Sequence, residues 1–230
     1  MSYMQSLLNM GKKKNRKQAE AAITALRDLF CDSLLGDDRK LWSFSKNPIL
    51  NKDTNPYPVD AQLLSALYDH LLKDTYNQFA VNVLKPLTHD DLDHYRKSAL
   101  DVLEYLLERK PENEEVILEI IVNKLGDTSK KIQCHTIYLL LKLTQKHKEM
   151  AEVLVREVHL FMTRANTKNT HLYYSIAYLN RVAGMVASKD EKVRVILFRI
   201  YFSLFKRILK TEKDDEVVEE IKKDRSKSKF

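Results

Sequence analysis

The sequence predicts an all-α fold, and three observations carry that expectation: scarce glycine, a proline-free second half, and apolar residues recurring at helical spacing. Average usage would place about 16 glycines and 12 prolines in a chain of this length. The 230 residues hold 4 and 5. Sandwiches, barrels and doubly wound sheets use glycine freely at turns, bulges and phosphate loops. Gly11, Gly36, Gly126 and Gly184 lie so far apart that neither a GxGxxG nor a P-loop can be written. After Pro111 no proline remains to interrupt a helix.

Apolar residues make up 44% of the chain, enough for one sizeable domain or a run of helical repeats. Cys31 and Cys134 are too few for a disulfide framework or a cysteine-based zinc site. No Asn-x-Ser/Thr sequon, signal-like stretch or apolar run approaching twenty residues occurs. A soluble intracellular chain is expected, with no membrane contact.

The net charge of +7 is unevenly placed. Lys12, Lys13, Lys14, Arg16 and Lys17 lie within residues 1–17, which contain no acid. Residues 206–230 hold nine bases and seven acids, and over 18–205 the charges cancel, 25 against 25. A domain that grips nucleic acid over its whole surface usually carries its excess in the folded part. Here any phosphate contact is expected to be local.

The elements follow in order. Residues 1–14 read as a basic, disordered leader, and 15–88 as a helical N-terminal portion. Its first helix shows Ala19, Ala22, Ile23, Leu26, Leu29, Phe30 and Leu34 on one face and closes at Gly36. Pro48, Pro56 and Pro58 break the segment 45–59 into a Pro-rich loop. A second helix spans about 60–85 and ends before Pro86. The next runs from Asp90-Asp91 to Arg109, acids first and bases last, matching its macrodipole. Pro111 suits the first turn of a fourth helix ending at Gly126.

From residue 89 the chain repeats. The helix opening at Tyr95-Arg96-Lys97-Ser98-Ala99-Leu100 is followed by a second, Val116 to Leu125. Moved 37 residues on, Ile132-Gln133-Cys134-His135-Thr136-Ile137 opens another, followed by Val153 to Met162. Leu172-Tyr173-Tyr174 starts a third, followed by Val193 to Leu209. Pairs at about 89–126, 127–165 and 166–210 are the pattern of a HEAT/ARM-like α-solenoid of antiparallel helix pairs. Asp127 in the inter-repeat turn, with Lys130 and Lys131 just inside the next helix, suits such a linkage.

The last helix is apolar nearly all round. Either this chain buries it on two sides, or a further repeat or a partner covers one side, with Phe198, Phe202, Phe205 and Leu209 as the candidate protein contact. Residues 211–230 form a charged tail.

Little here points to chemistry. His89-Asp90-Asp91-Leu92-Asp93-His94 reads as a helix N-terminus, where carboxylates cap free N–H groups, rather than a metal site. Cys134 and His135 diverge by about 100° on a helix and cannot act as a nucleophile–base pair. Cys134 reads as a small core residue. Tyr173, Tyr174 and Tyr178 read as core packing before base stacking. No catalytic residue, metal ligand or cofactor site is expected. The basic run Lys12, Lys13, Lys14, Arg16 and Lys17 is the candidate phosphate contact, against the alternative of a solvated leader.

The order of several blocks resembles the CCAAT-binding factor and nucleolar complex-associated protein family. These are Leu29-Phe30, Leu34 to Leu41, Phe44 and Pro48, then Leu106 to Glu112 and Val122 to Asp127. Val155-Arg156-Glu157-Val158, Tyr173-Tyr174 and Leu179-Asn180 continue it. Gly36 stands where the family usually has proline, and Gln133 to Thr136 replace a run of small residues. The resemblance implies a non-enzymatic scaffold for large ribosomal subunit precursors in the nucleolus. It also implies a paralogous nucleolar complex protein as partner, with rRNA as a further expected contact and no small-molecule substrate. Two rivals are a CCAAT-box-linked transcription regulator and a HEAT-type adaptor unrelated to RNA. No helix-turn-helix, basic zipper or finger is written in the chain.

Overall fold

The computed structural model describes residues 2–13, 15–36, 40–50, 59–110, 112–164, 167–186, 190–207 and 209. Among them every regular element is helical and no strand occurs. Helix α1 spans Ser2–Gly11. Helix α2, Arg16–Asp28, runs on as a π-helical turn, Leu29–Leu34. Two 3-10 turns, Phe44–Lys46 and Pro48–Leu50, occupy the described part of the Pro-rich loop. Helix α3, Asp60–Gln78, also continues as a π-helical turn, Phe79–Leu84, and α4 is the single turn Lys85–Leu87. Then come α5, Asp93–Arg109, and α6, Glu114–Asn123, followed by α7, Lys130–Lys146, and α8, Ala151–Thr163. Helix α9 is Asn169–Met185, and α10 covers residues 191–207.

The expectation of a disordered leader over 1–14 is corrected by α1. Met4, Leu7 and Leu8 recur at helical spacing, and Leu8 is fully buried with the side chains of α2 and α3 around it. The close approach is visible at Gly11, where an added Cβ would stand 2.9 Å from Val83 Cγ1. The basic residues that made this stretch look solvated begin only after the helix ends.

Two π-helical turns meet in the N-terminal core. Phe30 stacks on Phe79 at 5.7 Å between centroids and meets Tyr76 edge-on at 5.2 Å. A π turn shifts side chains around the helix by a fraction of a turn, and here it aims both phenylalanines inward. Pro86 does not stop the second helical stretch, because α4 carries it inside one further turn.

From α5 onward helices pack in two rows. Helix α5 lies against α7 and α7 against α9, while α6 lies against α8; each α5–α6 and α8–α9 pair also touches. The first row is bound by polar contacts as well as by its apolar core. Glu104 and Glu108 of α5 face Lys142 and Lys146 of α7, with Lys142 Nζ 2.9 Å from Glu104 and 3.2 Å from Glu108. Burial raises the Glu104 carboxyl above its ordinary range, opposed by its hydrogen bond with Lys142. Burial works the same way on Glu108, yet hydrogen bonds from Lys146 and Lys142 hold it below that range. The half-exposed Lys146–Glu108 pair contributes about 0–1 kcal/mol, whereas Glu104 is buried and depends on Lys142 for its partner.

The turn between α6 and α7 has a tighter linkage. Asp127, whose side chain is 4% exposed, accepts Arg96 Nη1 at 2.6 Å, the Ser129 N–H at 3.0 Å and Lys124 Nζ at 3.4 Å. The sequence pattern sets Asp127 in the inter-repeat turn with a base, Lys130 or Lys131, just inside the next helix. Its charged partners are instead Arg96 of α5 and Lys124 at the end of α6, both earlier in the chain. Gly126 sits in the same turn, and a Cβ there would meet Phe161 Cζ at 3.0 Å and His171 Nδ1 at 3.2 Å. Gly126→Val is therefore expected to cost about 1–3 kcal/mol by overpacking. A thermal midpoint unchanged from the parent would contradict that packing.

Position 134 is a second correction. Cys134 is exposed, and its neighbour Gln133 is buried instead. Gln133 Nε2 donates to the Leu125 carbonyl at 3.2 Å, within the 3-10 turn Lys124–Gly126 that follows α6. A buried carbonyl left without a donor costs more than a cysteine gains by burial. Of the three tyrosines expected in the core, Tyr178 is fully buried and bonds Thr144 Oγ1 at 3.1 Å, and Tyr174 is half-buried. Tyr173 is 67% exposed.

Candidate nucleic-acid and protein interfaces

The basic run lies at the corner between α1 and α2. Lys12 and Lys13 follow α1, Arg16 and Lys17 open α2, and all four are exposed; Lys14 lies outside the described residues. Asn15 precedes α2 without a side-chain capping bond, so the first-turn N–H groups face outward with the positive end of the helix dipole. Arg16 is already committed. Its Nη2 is 3.3 Å from Asp90 Oδ1, and its guanidinium stacks 5.0 Å from the Tyr95 ring centroid. That pair ties the start of α2 to the start of α5. Lys12, Lys13 and Lys17 make no ion pair among the described residues, and Lys12 and Lys13 rim a cleft of about 550 Å³ floored by Ile23 and Val83.

The last helix uses one face only. Val193, Leu197 and Ile200 are buried, and Tyr201 Oη donates to Asn180 Oδ1 of α9 at 2.6 Å. Phe198, Phe202 and Phe205 point away from the core at 59%, 64% and 58% exposure, with Leu209 beyond them also exposed. Burial on two sides within this chain is thus excluded for the described residues.

A third surface escaped the sequence reading. Leu64, Leu67, Tyr68 and Leu71 of α3 are exposed, and with Met4 and Leu34 they line a groove of about 380 Å³. The signal was present at i, i+3, i+4, i+7, but α3 also carries an inner stripe through Ala66, Leu72 and Tyr76. Only one apolar face is expected of a surface helix, and the inner one satisfied that expectation.

The histidine and aspartate cluster near α5 does not gather around any point. His89 Nδ1 lies 3.0 Å from the Lys85 carbonyl, Asp90 Oδ1 accepts the Leu92 N–H at 2.9 Å, and the His94 ring lies beside Tyr95. Among the described residues no group of three His, Cys, Asp or Glu side chains is placed to hold a metal. No described helix is long and apolar enough to cross a membrane.

Two of the blocks that carry the family resemblance, Leu34 to Leu41 and Leu106 to Glu112, meet in space through their described residues. Lys110 Nζ donates to the Leu35 carbonyl at 2.7 Å, and Lys40 pairs with Glu114 at 2.8 Å. Buried Glu112 accepts the Leu41 N–H and Lys73 Nζ, the latter at 3.3 Å. Leu35, Lys40 and Leu41 thus meet Lys110, Glu112 and Glu114 in one junction that clamps the N-terminal portion onto α5 and α6. Every one of these charges has a partner inside the protein, so the junction is structural.

The architecture defines an all-helical protein whose uncommitted groups lie on open surfaces. No protein-family model matches the chain. It is 34% identical over 225 residues to the CCAAT/enhancer-binding protein zeta of Homo sapiens, covering 94% of this chain and 21% of that protein. It is 32% identical over 224 residues to the ribosome biogenesis protein NOC1 of Chaetomium thermophilum, covering 90% and 21%. Against the nucleolar complex protein 1 of Drosophila melanogaster it is 30% identical over 200 residues, covering 84% and 17%. The chain belongs to the CCAAT-binding factor and nucleolar complex-associated protein family. It spans about a fifth of the length of these relatives.

Proposed function

We propose that this chain is a non-enzymatic helical-repeat scaffold in ribosome biogenesis, holding assembly proteins and rRNA together on large-subunit precursors in the nucleolus. The observation that carries the reading is similarity, over most of the chain, to proteins named for ribosome biogenesis and for a nucleolar complex. The two rows, α5–α7–α9 and α6–α8, support a HEAT-like solenoid, in which neighbouring pairs cover each other's apolar faces. Function in such a stack lies along its surface. The lysines at the α1–α2 corner are the phosphate contact, and the open face of α10 is the protein contact. A paralogous nucleolar complex protein is the expected partner.

Affinity purification of the tagged chain from cells tests the reading. Recovery of large-subunit precursors supports it, and recovery of cargo proteins without RNA supports an adaptor instead. The RNA contact is tested separately with Lys12, Lys13 and Lys17 replaced by glutamate. Each phosphate contact on a single strand adds about 0.7 to the dependence of log affinity on log salt. The triple variant is expected to lose about 2 from that slope while its helical spectrum stays unchanged. An unaltered slope would remove the basic corner from the mechanism. The name of the human relative favours a second reading, a DNA regulator at CCAAT boxes. Duplex binding that survives competitor DNA and discriminates the box by several kcal/mol would establish it.

A further inference from the structure

We infer that two copies of this chain associate head to tail, the aromatic face of α10 in one copy seating in the α3 groove of the next. The inference does not rest on the ribosomal reading: it gives the α10 face to a second copy when no partner protein occupies it, and its test involves neither RNA nor another protein. Single exposed apolar residues are ordinary, whereas contiguous stripes mark contact surfaces. This chain has two of them. Phe198, Phe202 and Phe205 follow one another at i, i+4 and i+7 on α10, and Leu64, Leu67, Tyr68 and Leu71 form the matching stripe on α3. One is a ridge of large aromatic rings. The other is a groove of about 380 Å³, floored by Met4 and Leu34 from neighbouring elements. A ridge and a groove pack on each other better than either packs on itself.

Charge selects the same pairing. The described part of α10 carries Lys192, Arg194, Arg199, Lys206 and Arg207 against Asp190 and Glu191 at its start. Arg194, Arg199 and Lys206 are exposed and make no ion pair among the described residues. The α3 stripe is bracketed by the exposed Asp60 and Asp74, and α1 beside it holds no charged residue. The nearby Lys73 is occupied by Glu112 and the Leu41 carbonyl. At 1.5 Å per residue the two acids stand about 21 Å apart along α3, and Arg194 and Lys206 about 18 Å apart along α10. One helix laid along the other therefore brings both acids near both bases. Pairing α10 with α10 would instead oppose Arg194 to Lys206, and pairing α3 with α3 would oppose Asp60 to Asp74. Like charges across a contact disfavour those symmetric arrangements.

Because the two faces lie on different helices, the contact is heterologous, and each copy added leaves one face of either kind open. A contact of two helical stripes is small, so the assembly is weak and grows with concentration. Sedimentation or light scattering of the full chain over a concentration series tests this. The average mass is expected to pass that of a dimer and to fall in high salt. Phe202→Glu and Leu67→Glu alter exposed positions, keep the helical spectrum, and are each expected to weaken self-association by about tenfold or more. Mixing the two variants provides the discriminating result. One retains an intact groove and the other an intact ridge, so together they form a dimer and grow no further. A parent chain that stays monomeric throughout overturns the inference. So does either variant still self-associating as the parent does, or a mixture that remains monomeric.

Discussion

Phe30→Ala is expected to remove about 3–5 kcal/mol of stability by emptying a fully buried site. A further ~1 kcal/mol goes with the lost ring contacts to Phe79 and Tyr76. Domains of ordinary stability hold roughly 5–15 kcal/mol in total, so the variant sits near the edge of folding. The site resists collapse because both π-helical turns deliver their rings to it, and neither backbone can close the gap without unwinding. Urea unfolding should show a large fall in midpoint at constant slope, with Phe30→Leu, which leaves a smaller cavity, losing less than Phe30→Ala. Equal losses for alanine and leucine would mean that Phe30 does not join the two π-helical turns as described.

Asp127→Ala is expected to cost about 3–5 kcal/mol, because it strips the anion from two confined cations. Arg96 retains Asp93, but the ammonium of Lys124, whose side chain is 7% exposed, loses the only ion-pair partner described for it. Burial holds the Lys124 ammonium below the ordinary lysine value of 10.5, and Arg96 pushes it further down; Asp127 pulls it back up. The sign of the pH dependence follows. Between the lowered folded value and the unfolded one, the unfolded chain binds more protons, so the contribution from Lys124 rises with pH. Without Asp127 the folded value falls further and the window widens toward neutral pH. The variant should therefore regain more stability than the parent as pH is raised from neutral into the lysine range. Parallel stability curves for the two proteins would show that Lys124 does not depend on Asp127.

Much of this could be read from the sequence, for physical reasons that differ by element. The long helices were legible because their apolar residues keep a 3.6-residue period and because glycine and proline are absent from their interiors. The surplus apolar surface of the last helix was legible too, since a helix greasy all round must either be covered twice or present one face. Helix α1 was not. Met4, Leu7 and Leu8 suffice for one short stripe, and a ten-residue helix holds only where a surface awaits it. The basic run was found as a cluster, but its members proved unequal. Asp90, 74 residues away, takes Arg16 out of the free set and leaves the lysines in it.

Helicity itself is a local property, decided by hydrogen bonds four residues apart and by side chains that tolerate them, so the chain's composition and spacing determined it. Which side chains are covered is decided between segments remote in sequence. Lys110 reaches Leu35 across 75 positions, and Glu112 meets Leu41 across 71. Nothing near Gln133 announces that the Leu125 carbonyl needs a donor, and nothing near Leu67 announces that the groove beside it stays open. Those outcomes depend on which surfaces are brought together and which polar groups are left wanting partners, and only the packed chain decides that.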